Sequence, residues 1–149
     1  MARLKFDALA HYPFCTELQI YTSHINHGNH LDNAQLLTLV SEARLRFIRW
    51  LGYDEMDVLG LGTVVGDVGA QYLSEGFHGD VLQIEMAPAD LGRYGFDVVF
   101  RIREKTSQRD VARGKVGVVL VDKQARKAAP MPDAVRERLL AVAAGYAER

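Results

Sequence analysis

Three of the five histidines fall in one short polar stretch, Ser23-His24-Ile25-Asn26-His27-Gly28-Asn29-His30, at steps of three residues. An imidazole gives or takes a proton near neutral pH and is also the commonest transition-metal ligand, so the stretch has two chemical readings. Steps of three on a loop do not gather the rings on one helical face, and no cysteine joins them, so no metal is expected. The proton-transfer reading centres on His30, which either donates a hydrogen bond to a carbonyl or serves as a base. Gly28, Asn29 and the first turn of the helix that follows offer backbone N–H groups at the positive end of a helix dipole, which suits a developing oxyanion. The plainer alternative is that Asn29 and Asp32 cap that helix. The single cysteine, Cys15, lacks any independent sign of nucleophilic use and is read as a small core residue.

The elements that must position these groups follow from hydrophobic period. Residues 16–22 alternate polar and apolar and describe a half-buried strand with Leu18 and Ile20 inward. After the histidine loop, with Asp32 or Asn33 as N-cap, Leu36, Leu37, Val40, Ala43, Phe47, Ile48 and Leu51 recur at helical steps until Gly52 ends the run. So broad an apolar face predicts a helix buried against a sheet, with Arg44, Arg46 and Arg49 on its outer side. Residues 62–73, 80–86, 95–103 and 110–121 read as strands rich in β-branched residues, with Ser74-Glu75-Gly76-Phe77-His78-Gly79 joining the first two. A turn at residues 123–127 closes the sheet, and a terminal helix begins at Pro132. Phe77 and His78, on a turn, are read as structural.

One strand, a long helix and four further strands in a meander make an α+β arrangement in which the sheet wraps the helix. No repeat, linker or Gly-rich βαβ turn divides the chain, so one domain over residues 1–149 is expected. At that length the fold buries roughly 70% of the surface of the unfolded chain. Hydrophobic residues at 48% leave little room for a disordered tail. Lys and Arg number 18 against 19 Asp and Glu, so no net field exists to hold nucleic acid or an anionic membrane. The charged start, Met1-Ala2-Arg3-Leu4-Lys5-Phe6, lacks the apolar core of a secretory signal, no segment is apolar for long enough to span a bilayer, and one cysteine suits a reducing compartment. A cytoplasmic location is therefore expected.

The run from Ser23 through Ala34, followed by Ser41-Glu42-Ala43-Arg44 and Trp50-Leu51-Gly52, resembles the loop-and-helix signature of 4-hydroxybenzoyl-CoA thioesterase-like proteins. Tyr72-Leu73, Phe77-His78-Gly79-Asp80, Val111-Ala112-Arg113-Gly114 and Val119-Leu120-Val121-Asp122 follow in that family's order, so the likeness extends from about Glu17 to Leu139. The resemblance implies a hot-dog fold, an antiparallel sheet wrapped around a long central helix. It also implies homodimers or homotetramers with active sites between subunits, acyl thioesters of coenzyme A or acyl carrier protein as substrates, and no cofactor beyond the coenzyme A of the substrate.

Many members of that family carry Asp where this chain has Asn26, four residues before His30. An amide hydrogen-bonds but takes no proton at neutral pH, so the usual loop base is absent. Glu42 matches the family's helix-borne acid and is the best remaining carboxylate, although it lies about 13 Å along the helix from Asn33. The expected catalytic set is thus Asn26, His30 and Glu42, with Gly28, Asn29, Asn33 and Thr63 binding substrate. Glu42 paired structurally with an arginine is the alternative. Arg93, Arg101 and Arg103 are general candidates for coenzyme A phosphates. The implied activity is thioester hydrolysis. A non-catalytic acyl-thioester-binding or interaction module is the main rival, and a dehydratase or hydratase lacks its signature here.

Overall fold

The computed structural model describes residues 1–145. In chain order the elements are β1 (Phe14–Gln19), α1 (Asn33–Trp50), β2 (Gly62–Tyr72), β3 (Val81–Ala89), β4 (Gly95–Glu104), β5 (Asp110–Asp122), β6 (Lys127–Ala128) and α2 (Asp133–Ala143), with a single 3-10 turn at Thr22–His24. All strand pairs are antiparallel, and the sheet runs β1-β3-β4-β5-β2, with the short β6 on β5. An antiparallel six-stranded sheet with an 18-residue helix is the α+β arrangement expected, and α2 adds a second helix.

The order departs from a plain meander. Strands β3, β4 and β5 are consecutive neighbours, but β2 pairs with β5 on the far side and β1 takes the free edge of β3. Alternation marks a strand without naming its partner. Here the connection from β2 to β3 crosses the end of the sheet, tied by Leu31 N–H to Gly76 O at 2.8 Å, and delivers β3 to the opposite side of β4. β2 is consequently an edge strand, and Val64, Val65, Val68 and Tyr72 on it remain exposed.

Asp32 caps α1, its carboxylate accepting from Ala34 N at 2.9 Å and Gln35 N at 3.2 Å, a contribution of about 1 kcal/mol. The buried side of α1 is Leu36, Leu39, Val40, Ala43, Phe47 and Ile48. Leu39 joins the stripe, while Leu37 is half-buried and packs against the margin of the core. Most of these side chains share one core with Leu82, Ile84 and Met86 of β3, Phe100 and Ile102 of β4, and Val116, Val118 and Leu120 of β5. Phe14, Phe47 and Trp50 close one end of it, with ring centroids 5.5 to 5.9 Å apart. α2 adds Val135, Leu139 and Val142.

Two expected placements are corrected. Cys15 is exposed rather than in the core, because the pleat that turns Phe14 inward turns its neighbour out. Partial burial, and then the charges of Glu85 and Glu17, push its thiol above the ordinary range, which disfavours the thiolate. Arg44 does not emerge with Arg46 and Arg49. Its side chain is only 13% exposed and sits 3.5 Å from Glu55.

Candidate active site

A cleft of about 350 Å³ opens where the histidine loop, the start of α1 and the chain leaving β2 converge; Asn26, His30, Asn33, Tyr72, Ser74 and Glu75 supply its polar wall. Leu31, Leu36, Leu73 and Val111 supply its apolar wall. Such a mixture of apolar lining and a few convergent polar groups is the usual character of a small-molecule site.

The loop is a tight turn closed on itself. Ile25 and Leu31 form an isolated antiparallel bridge, Asn26 N–H donates to His30 O at 3.1 Å, and Asn29 N–H donates to Asn26 O at 3.1 Å. Asn29 adopts the left-handed conformation, with φ of 61°, which asparagine tolerates better than most residues. Gly28 leaves room for both side chains: a Cβ there would lie 2.9 Å from His30 Nε2 and 3.3 Å from Asn26 Oδ1, so a larger residue would displace the His30 ring.

Asn26 Oδ1 accepts from Gly28 N–H at 2.9 Å, which leaves the Nδ2 amide as the donor this residue can offer the cleft. His30 Nδ1 lies 3.3 Å from Leu31 O. In the tautomer that carries its proton on Nδ1 this contact is a hydrogen bond to the carbonyl and Nε2 keeps a lone pair. The N–H groups of Gly28 and Asn29, expected to face an oxyanion, are both spent inside the turn. In the first turn of α1, Ala34 and Gln35 donate to the Asp32 carboxylate and Leu36 to Asp32 O. The N–H of Asn33, on the cleft wall, has no acceptor among the described residues.

Of the expected residues, Asn26, His30 and Asn33 come together in this cleft, flanked by Gly28 and Asn29. Glu42 does not join them within one chain. It lines a separate groove with Leu18, Tyr21, His24 and Thr38, where Arg46 Nε donates to Glu42 Oε2 at 2.9 Å. Arg46 Nη1 also donates to Thr16 Oγ1 and Glu17 O, fastening α1 to β1. Thr63 lies nine residues along β2 from Tyr72, about 30 Å at the usual rise, and its Oγ1 donates to Glu55 O at 2.9 Å. Among the described residues no three His, Cys, Asp or Glu side chains converge on a metal position, and His24 Nδ1 is taken by Tyr21 N–H at 2.9 Å. Arg101 and Arg103 are committed to Glu85, and Arg93 stacks on Tyr94 at 5.2 Å.

Tyr72 and Glu75, two polar residues of the lining, have no role assigned from the sequence. Tyr72 donates its hydroxyl to Asn33 O at 2.8 Å. Desolvation of that end and then the Asp32 charge hold the phenol above its ordinary pKa, so it remains a donor bracing the start of α1. Glu75 approaches His30, with Oε1 3.8 Å from Nε2. No local spacing could have paired residues so distant in the chain; their segments are brought together by long-range bonds such as Leu31 N–H to Gly76 O and the Tyr72 hydroxyl to Asn33 O.

A family model described as Thioesterase-like superfamily matches residues 20–139. Among solved structures, a thioesterase complexed with coenzyme A and Zn from Thermus thermophilus superposes with a TM-score of 0.79 at 21% identity, over 91% of this chain and 98% of that one. A 1,4-dihydroxy-2-naphthoyl-CoA thioesterase from Synechocystis gives 0.76 at 16% identity, over 91% and 98%. A protein from Staphylococcus aureus in complex with CoA gives 0.80 at 16%, over 94% and 89%. At such identities the likeness to these structures is one of fold. No curated protein matches the chain in sequence.

Proposed function

The chain belongs to the thioesterase-like superfamily, and from that premise we propose that it is a hydrolase cleaving acyl-CoA or acyl carrier protein thioesters to free acid and thiol, its sheet curved around α1 as a hot-dog domain. The coenzyme A bound by the Thermus and Staphylococcus neighbours favours coenzyme A as the thiol. The observation that carries the reading is the convergence of the His30 ring and the Asn26 side chain, its Nδ2 unengaged, in one partly apolar cleft. Asn26 Nδ2 and Asn33 N–H hold the thioester carbonyl. Water attacks the carbonyl carbon, its proton passes to Nε2, and the carbonyl electron pair moves onto oxygen. When the tetrahedral adduct collapses, the C–S bond breaks and the imidazolium proton goes to the leaving thiolate.

Glu42 enters this chemistry only across a subunit boundary, since its own groove is separate from the cleft. Oligomerisation is therefore part of the proposal, and the unpaired edge of β2 with its exposed Val64, Val65 and Val68 supports it. Light scattering at micromolar concentration should give a dimer or tetramer, and Glu42→Gln should lower hydrolysis at least about tenfold, a barrier change of about 1.4 kcal/mol. A strictly monomeric mass together with an unaltered Glu42→Gln rate would reduce Glu42 to the helix-to-β1 tie made through Arg46.

The amide at Asn26 favours one other reading, an acyl-thioester-binding module without turnover. Thiol release from a panel of short, medium, long and aromatic acyl-CoAs separates the two. Turnover on any member supports the hydrolase, and binding without release supports the module. Asn26→Asp retains an acceptor for Gly28 N–H but exchanges the Nδ2 donor for a carboxylate, so a kept or raised rate would make position 26 a base rather than the donor to the carbonyl.

A further inference from the structure

Glu75 is held at the cleft by its neighbours on both sides. Before it, Leu73 N–H and Ser74 N–H both donate to Val111 O, at 2.8 and 3.2 Å. Arg109 Nη1 donates to Ser74 Oγ at 2.6 Å and to the backbone oxygen of Glu75 itself. The Arg109 guanidinium lies 3.8 Å from Asp80 and over the Phe77 ring at 6.0 Å. After Glu75, Gly76 O accepts from Leu31 N–H, and a Cβ at Gly76 would fall 2.8 Å from Ile20 Cδ1. The backbone around position 75 is thus clamped to β5, to Arg109 and to the histidine loop, and its side chain lies beside His30.

The contact between the two side chains is favourable only when Nε2 carries a proton. With the proton on Nδ1, facing Leu31 O, neutral Nε2 and a carboxylate oxygen are both acceptors and gain nothing at 3.8 Å. Once Nε2 has taken a proton the same pair becomes a charge-assisted contact. In the ground state it is an exposed pair of little worth, with Glu75 60% accessible. Its value appears when the proton moves, and that difference is what accelerates a reaction.

On the thioesterase reading given above, the geometry points to Glu75 as a positioning residue of the hydrolytic site, a carboxylate that stabilises the His30 imidazolium formed as water attacks. It supplies the negative charge that the family's loop aspartate would bring and that Asn26 cannot. It acts through His30, takes no proton itself and needs no co-reactant, since the proton gained by Nε2 returns to the departing thiolate.

A double-mutant cycle tests this with the acyl-CoA that the parent protein cleaves best. Glu75→Gln should lower kcat about tenfold with KM little changed, and should leave the melting temperature where it was. In a His30→Gln background the same change should cost less than about twofold, because the ring through which Glu75 acts is gone. An unaltered kcat for Glu75→Gln, or an equal loss in both backgrounds, would overturn the assignment while leaving the thioesterase reading intact. A parent protein that releases no thiol from any acyl-CoA would overturn the thioesterase reading itself.

Discussion

Replacing His30 with glutamine is expected to lower kcat/KM for acyl-CoA hydrolysis by about 100-fold or more, the usual size of a general base contribution. The ring is the only imidazole lining the cleft among the described residues, and in the proposed mechanism its Nε2 takes the proton of the attacking water. Glutamine can still donate to Leu31 O, and a side chain that is 33% exposed gives up little burial. Fold and melting temperature should therefore survive, and the loss should appear in kcat with KM nearly unchanged, as for an interaction made only in the transition state. Thiol release monitored under saturating and subsaturating substrate separates these parameters. A His30→Gln protein with parental kcat would remove His30 from the reaction and leave the cleft as a binding site.

The parts of this site that could be read from sequence are those built from local chemistry. Asp32 as N-cap, the apolar stripe from Leu36 to Ile48 and the turn residues around Gly28 each follow from neighbours within a few positions. What could not be read depends on closure across the chain. Alternation identifies β2 as a strand equally well beside β3 or beside β5, and in the fold it pairs with β5 while the chain that follows it is fastened at Gly76 to Leu31. The same connection carries Glu75 to His30. Glu42 shows the converse: its place on α1 was legible, but the partner it meets in its own chain is Arg46, four residues on, and not the cleft. Cys15 and Arg44 were misplaced for local reasons, a pleat that faced the thiol outward and a loop carboxylate, Glu55, that reached back to cover the guanidinium.

The largest loss of stability is expected from Phe47→Ala, at about 3–5 kcal/mol. Phe47 is fully buried and packs edge-on to Phe14 at 5.5 Å and tilted against Trp50 at 5.9 Å. Truncation removes apolar burial and two aromatic contacts at once. The cavity cannot close readily, because α1 is tied to β1 through Arg46 and Thr16 at 2.8 Å. Over a chain of this size that loss corresponds to a melting temperature lower by on the order of 10 °C. Parent and variant must be compared at one protein concentration, since association would shift both. Phe47→Leu, which keeps most of the volume, should lose well under half as much. Asn33, Leu36 and the histidine loop lie toward the opposite end of α1, so the folded fraction of Phe47→Ala at 25 °C should retain parental KM. An Ala variant that melts within about 2 °C of the parent would mean that the aromatic end of the core relaxes around the gap, and that the closely packed end of α1 is not what anchors the helix to the sheet.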